Sequence, residues 1–155
     1  RNMPSKDVKQ LLAEHEFMRG MENCHIERMA EFARLKIVRE DDYMFREGEE
    51  ADCCYLIRDG CIAIEVRHPS RGAVTIQTLS AGKVVGWSWL SPPYRWRFDG
   101  RALELTRGVC LGSEQLRAAC EEDHEFGYQI LSRLMPVVSE RLEATRLQLL
   151  DLYAP

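Results

Sequence analysis

Between Leu35 and Leu111 apolar residues recur at every second position in short runs, and each run ends at a turn signal. The runs are Ile37-Val38, Met44-Phe45, Tyr55 to Ile57, Ile62 to Val66 and Val74 to Leu79; Asp41-Asp42, Gly48, Asp59-Gly60, Pro69 to Gly72 and Ala81-Gly82 punctuate them. A period of two sends successive side chains to opposite faces of a strand. Ile62, Ile64 and Val66 therefore share one face, and Val74 and Ile76 oppose Thr75 and Gln77. One buried and one wetter face is the pattern of a small barrel or a jelly roll. Asp59-Gly60 between two runs predicts a hairpin, with glycine supplying the positive φ. A further strand is expected from Ala102 to about Leu111.

Helical periodicity flanks this β-rich block. Residues 1–34 read as two amphipathic helices. Ser5 can cap the first, with Val8, Leu11, Leu12 and His15 on one face, and Asn23 can cap the second, with Ile26, Met29, Ala30 and Ala33 on one stripe. Residues 113–153 return to helix, Ser113 capping a short one and a long one running from about Glu125 to Tyr153. On the long helix Leu131, Met135, Val138, Leu142, Thr145, Leu149 and Leu152 are spaced alternately by four and three. That is an a/d heptad seam, and it predicts a homodimer through this helix. Phe126, Ile130, Leu134 and Val137 add a second stripe in the first half, which is expected to pack on the strands. Pro136 lacks a backbone donor and is expected to kink the helix near Ser132.

The 155 residues suffice for one domain, and a net charge of −4 argues against a dedicated nucleic-acid binder. No apolar run reaches the length of a membrane helix, so no membrane association is expected. Cys24, Cys53, Cys54, Cys61, Cys110 and Cys120 form no C-x-x-C pair and read as free thiols of a cytoplasmic protein. No metal site is expected: Cys53 and Cys54 would point to opposite faces of a strand, and His15, His25 and Cys24 read as structural. No Ser–His–Asp or paired-carboxylate constellation can be placed, His68 stands alone, and no catalytic residue is assigned.

One stretch concentrates bulk and positive charge. Residues 84–102 hold all three tryptophans, Pro92-Pro93, two glycines and three arginines. If the segment is extended, Tyr94, Trp96 and Phe98 share one face and Arg95, Arg97 and Asp99 the other. The aromatics then either fill core while the arginines meet solvent or Asp99, or they stack on a flat ligand while the arginines meet an anion.

The blocks Phe45-Arg46-Glu47-Gly48-Glu49-Glu50-Ala51-Asp52, Tyr55-Leu56-Ile57-Arg58-Asp59-Gly60 and Leu79-Ser80-Ala81-Gly82-Lys83-Val84-Val85-Gly86 resemble the cyclic-nucleotide-binding domain of the catabolite activator (Crp–Fnr-like) superfamily. The first two are similar to that family's F-x-x-G-x-x-A-D-x-x-Y-x-I-x-x-G run. The resemblance implies a mainly β fold: a double-stranded β-helix (jelly roll) over residues 35–111, preceded by N-terminal helices and closed by a long C-terminal helix. It implies a ligand-sensing regulatory domain with no enzymatic activity. Its ligand, cAMP or cGMP, would be held by a short loop and helix, the phosphate-binding cassette, here residues 84–102. Gly86 matches the leading glycine, and Trp87 stands where the family has the ribose-binding glutamate. Arg95 or Arg97 falls closest to the phosphate arginine, with Arg101 as a competitor. Gly86, Trp87, Ser88, Arg95 and Arg97 are thus the implied ligand residues. Thr145, in Arg141-Leu142-Glu143-Ala144-Thr145, resembles the helix threonine that meets the base. No other cofactor is implied. The chain stops at Pro155 with no room for a recognition helix, so no DNA binding is expected of it and its output would pass to a protein partner. The alternative is a non-binding dimeric interaction module whose pocket is filled by Trp87 and its neighbours.

Overall fold

The computed structural model describes residues 7–153. Eight strands form two four-stranded antiparallel sheets that face each other as a jelly-roll sandwich. The first sheet is ordered β1 (Ala33–Val38), β8 (Thr106–Gly112), β3 (Cys53–Asp59) and β6 (Val84–Val85); the second is ordered β2 (Tyr43–Phe45), β7 (Asp99–Ala102), β4 (Cys61–His68) and β5 (Gly72–Ser80). Helices α1 (Val8–Glu14) and α2 (Asn23–Ala30) precede the strands, with a 3-10 turn at Glu16–Met18 between them; α3 (Ser113–Glu122) and the long α4 (His124–Tyr153) follow. At 1.5 Å per residue α4 is about 45 Å long. No helix among the described residues is long and apolar enough to cross a membrane.

Two apolar clusters hold these layers together. Phe45, Tyr55, Ile57, Ile62, Val85 and Trp96 fill the space between the sheets. On the outer face of the first sheet, Leu56, Val109 and Leu111 pack against Leu12, Met29, Trp89, Leu116, Phe126 and Ile130. The first sheet is therefore covered on both faces, and β3 is buried at five consecutive positions. Each fully buried side chain of this size contributes about 1.5–3 kcal/mol. Cys53 lies in the inner cluster and Cys54 in the outer one, as strand alternation requires.

Several local expectations are corrected. Asp59-Gly60 is not a hairpin, because β3 and β4 belong to opposite sheets. Gly60 does have a positive φ of 102°, and a Cβ there would lie 2.4 Å from the Thr106 hydroxyl. The tight turn is used to step between layers, with Cys61 donating from its N–H to Thr106 Oγ1 at 3.1 Å. The long hairpin is instead β4–β5, with His68 opposite Gly72. Its ladder slips where Ile64 faces Gln77 and Glu65 faces Thr75, leaving Ile76 as an extra residue. This bulge turns Gln77 away from the outer face that simple alternation predicts. Ser5 lies outside the described residues; Asp7 caps α1, accepting from Gln10 N–H at 2.8 Å. Glu22 rather than Asn23, and Gly112 rather than Ser113, occupy the caps of α2 and α3. Helix α4 continues through Pro136 as one element.

Candidate functional site

The segment after β6 has to return to β7 across the open end of the sandwich, and three constraints shape it. Gly86 takes φ +81°, a value that disfavours any side chain. Residues 87–91 make one turn, with Leu90 N–H donating to Trp87 O at 3.0 Å and Ser91 N–H to Ser88 O at 3.4 Å. Pro92 and Pro93 then offer no N–H, so the turn cannot propagate into a helix. The short helix that the resemblance implies is reduced to this turn. Next, Tyr94 to Trp96 run beside Gly48 to Ala51: Ala51 N–H donates to Tyr94 O at 2.7 Å, Trp96 N–H to Glu49 O at 2.9 Å and Gly48 N–H to Trp96 O at 2.8 Å. The glycine-containing block Phe45–Asp52 is thereby the partner of the second half of the segment.

This path sends the three tryptophans to three places. Trp89 is fully buried in the outer cluster, and its carbonyl accepts from Arg117 at 2.6 Å. Trp96 is buried between the sheets, stacked on Phe45 with centroids 3.8 Å apart. Its ring lies against Gly86, where a Cβ would come 2.4 Å from the indole. Trp87 faces α4, where the Arg141 guanidinium sits 4.6 Å above its ring. The three aromatics of the extended-face expectation separate as well. Tyr94 lies under Arg117, Trp96 is interior and Phe98 is 42% exposed.

Between the sandwich, residues 86–98 and α4 there is a cavity of about 350 Å³. Phe45, Ile64, Ile76 and Gln77 line it from the second sheet. Gly86, Trp87, Ser88, Trp96, Arg97 and Phe98 line it from the connecting segment, and Val138, Arg141, Leu142 and Thr145 from α4. The volume is within the range of about 300–1,000 Å³ common for small-molecule sites. The β5 bulge is what brings both Ile76 and Gln77 to the wall, and Ile76 O also accepts from Gln148 of α4 at 3.1 Å.

Five of the six expected ligand residues, Gly86, Trp87, Ser88, Arg97 and Thr145, meet around this cavity. Arg95 does not. It is exposed and donates to Gly48 O at 2.9 Å, because the pairing with residues 48–51 turns its side chain outward. Arg101 is also elsewhere, engaged by Glu65 and Asp41. Asp99 accepts from Glu47 N–H at 2.7 Å and pairs with Arg46 at 3.7 Å rather than with Arg95 or Arg97. Of the heptad seam, Val138, Leu142 and Thr145 border the cavity, while Leu131, Met135, Leu149 and Leu152 are exposed.

Arg141 is the residue that sequence reasoning passed over. It lies one helical turn before Thr145, on the same face. Thr145 Oγ1 donates to the Arg141 carbonyl at 2.9 Å. The guanidinium donates to Val84 O and, among the described residues, has no carboxylate hydrogen-bonded to it. Burial holds its pKa down at about 10, with Glu140 acting in the opposite sense. Glu140 itself pairs with Lys83 at 3.7 Å. Arg141 is thus a cation at neutral pH, half-buried at the cavity wall, with most of its donors uncommitted. Away from this cavity, at the start of α2, Glu22, Cys24 and His25 place possible donor atoms within 4.8 Å of one another.

The family model of the cyclic nucleotide-binding domain matches residues 35–123, more than half of the chain. This chain belongs to the cyclic nucleotide-binding domain family. Solved structures agree with that assignment. A cyclic nucleotide-binding domain from Methylobacillus flagellatus KT superposes with a TM-score of 0.78 at 17% identity, over 96% of this chain and 84% of that one. A protein from Geobacter metallireducens GS-15, described as a cyclic nucleotide-binding protein, gives 0.76 at 21% identity over 89% and 99%. The regulatory subunit of a cAMP-independent protein kinase A from Trypanosoma brucei gives 0.65 at 18% identity, over 86% of this chain and 45% of that one. At these identities the likeness establishes the fold of this cyclic nucleotide-binding domain. No curated protein matches its sequence.

Proposed function

We propose that this chain is a ligand-sensing regulatory domain with an altered phosphate-binding cassette, acting in the cytoplasm through a protein partner and without a catalytic step. The observation that carries the reading is the 350 Å³ cavity. It is walled on one side by the cassette segment and on the other by the helix whose exposed stripe is suited to pairing. A ligand filling it would touch Val138, Leu142 and Thr145, which belong to the same stripe as Leu149 and Leu152. Occupancy and helix pairing would then be coupled through α4. Trp87 in the place of the family's glutamate, and Trp96 lying against Gly86, are what we read as the alteration. A relative described as cAMP-independent carries the same fold, so the fold does not by itself prescribe cAMP.

The test is a titration with 1-anilinonaphthalene-8-sulfonate, cAMP and cGMP, followed by fluorescence and calorimetry. We expect saturable binding of the naphthalene probe at one site per chain, weakened about tenfold or more by the cavity-filling change Val138→Trp. Probe binding that ignores Val138→Trp would place it on the exposed helix face and defeat the reading. Trp96 packed on Gly86 favours a second reading, a non-binding dimeric module, and that reading gains if nothing binds.

Pairing of α4 with a second copy is part of the proposal. Leu149 and Leu152 are 50% and 78% exposed and recur on the heptad stripe. Light scattering at micromolar concentration should report a dimer, and Leu149→Asp with Leu152→Asp a monomer. A monomeric unmodified protein would remove the dimer from the proposal.

A further inference from the structure

The cavity wall contains two arginines and no aspartate or glutamate. Apart from Gln77, Ser88 and Thr145, its side chains are apolar or belong to those arginines. Thr145 has already committed its proton to the Arg141 carbonyl. A ligand rich in hydroxyl and N–H donors would therefore enter a site with few acceptors, and each unpaired donor would be costly. An apolar body, by contrast, finds Phe45, Ile64, Ile76, Trp96, Phe98 and Leu142. The one strong polar demand in the cavity comes from Arg141, a charge drawn off the surface whose one hydrogen-bond acceptor among the described residues is Val84 O, with an aromatic face beside it and Glu140 acting on it without a hydrogen bond. A half-buried cation with no hydrogen-bonded carboxylate is satisfied by an anion arriving with the ligand. Arg97 stands at the rim, exposed and without a hydrogen-bonded acid among the described residues, and adds to the positive field at the mouth.

We infer that the ligand class of this cavity is an amphiphilic carboxylate, a compact apolar body with one anionic head that pairs with Arg141. This rests on reading the cavity as a ligand site. A fused ring pair fits within the 350 Å³ of the cavity.

The experiment follows tryptophan fluorescence, since Trp87 and Trp96 both line the cavity, during titration with 2-naphthoate, its neutral isostere 2-naphthamide, and cAMP. We expect saturable quenching by 2-naphthoate, with the amide weaker by about tenfold or more. Arg141→Met should remove that difference while keeping the circular dichroism spectrum, and Arg141→Lys should restore part of it. The acid-versus-amide comparison in the unmodified protein stands even where a variant folds poorly. Equal affinity for acid and amide, or an acid affinity unchanged in Arg141→Met, overturns the anionic head and leaves the cavity reading in place. Tighter binding of cAMP than of 2-naphthoate overturns the ligand class and likewise spares the cavity. Failure of all three compounds and of the naphthalene sulfonate removes the cavity reading and this inference together.

Discussion

Arg101 and Arg141 are both drawn off the surface, one on the outer face of the second sheet and one under the C-terminal helix, and their surroundings treat them in opposite ways. Arg101 donates from Nε and Nη2 to the two oxygens of Glu65, both at 3.1 Å, and from Nη1 to Asp41 at 3.0 Å. Glu65 is only 3% exposed. The bond to Glu65 raises the Arg101 pKa above its ordinary value. Arg141 has a carbonyl and an indole face, and burial lowers its pKa to about 10. One arginine is consumed in closing a fork with a buried carboxylate; the other spends one donor on a carbonyl. The difference separates a charge that serves the fold from the charge to which the proposed ligand would bind. The linkage signs differ accordingly. A raised pKa means that the charged Arg101 stabilises the folded state at neutral pH. A lowered one means that charged Arg141 costs stability there, a cost relieved only as pH rises past about 10.

Glu65 is the partner on which Arg101 depends most. Glu65→Ala strips Arg101 of its bidentate partner, and thermal unfolding followed by circular dichroism should show a Tm lower by about 5 °C or more. Replacing both partners, Glu65→Leu with Arg101→Met, should recover part of that loss, because no buried charge is then left unpaired; Asp41, which also loses Arg101, is 77% exposed. In contrast, Arg141→Met should move Tm by no more than about 2 °C, or raise it, since it removes a charge whose desolvation outweighs the attraction of Glu140. A fall as large as that of Glu65→Ala would reclassify Arg141 as structural. The smallest expected effect sharpens the same comparison with a base that burial keeps neutral. His15 donates from Nε2 to Ile57 O at 2.9 Å, and its Nδ1 accepts from Phe17 N–H at 3.1 Å. Desolvation lowers its pKa below 6.5, the Ile57 bond opposing. The unfolded chain therefore takes up this proton first, and stability contributed by neutral His15 is present above pH 6.5 and lost as pH falls through its lowered value. Urea midpoints measured from pH 8 down to 5 should decline, and His15→Leu should be less stable at pH 8 with a shallower decline. An identical slope in that variant would show that other groups carry the acid sensitivity.

Much of the architecture was legible in the residue pattern. Alternation between Leu35 and Leu111 marked the strands, and the helical stripes at both ends marked the flanking helices. Cys53 and Cys54 landed in separate clusters, as neighbours on a strand must. The 84–102 stretch did hold most of one wall of the cavity, and Gly86, Trp87, Ser88, Arg97 and Thr145 do meet there. Sheet membership was not legible. Asp59-Gly60 has the composition of a hairpin, but a tight turn with a positive φ serves equally to cross between layers, and only packing against Thr106 decides which. The fates of Arg95 and Trp96 were hidden for a related reason. Their backbone pairs with Gly48 to Ala51, over 40 residues away, and that pairing aims one side chain at solvent and the next at Phe45.

Local chemistry along the chain determined the strands and their turns, the helix whose stripe spans three heptads, and the concentration of aromatics and arginines in one connector. These depend on periodicity and on φ preferences, which act within a few residues. The tertiary structure alone decided which arginine keeps its charge available. Arg101 and Arg141 have the same intrinsic chemistry. Strand register set Glu65 beside Arg101, and the docking of α4 onto Val84 and Trp87 drew Arg141 out of water without giving it a hydrogen-bonded acid. Solvation and charge pairing are properties of the assembled surroundings, so that distinction exists only in the folded protein.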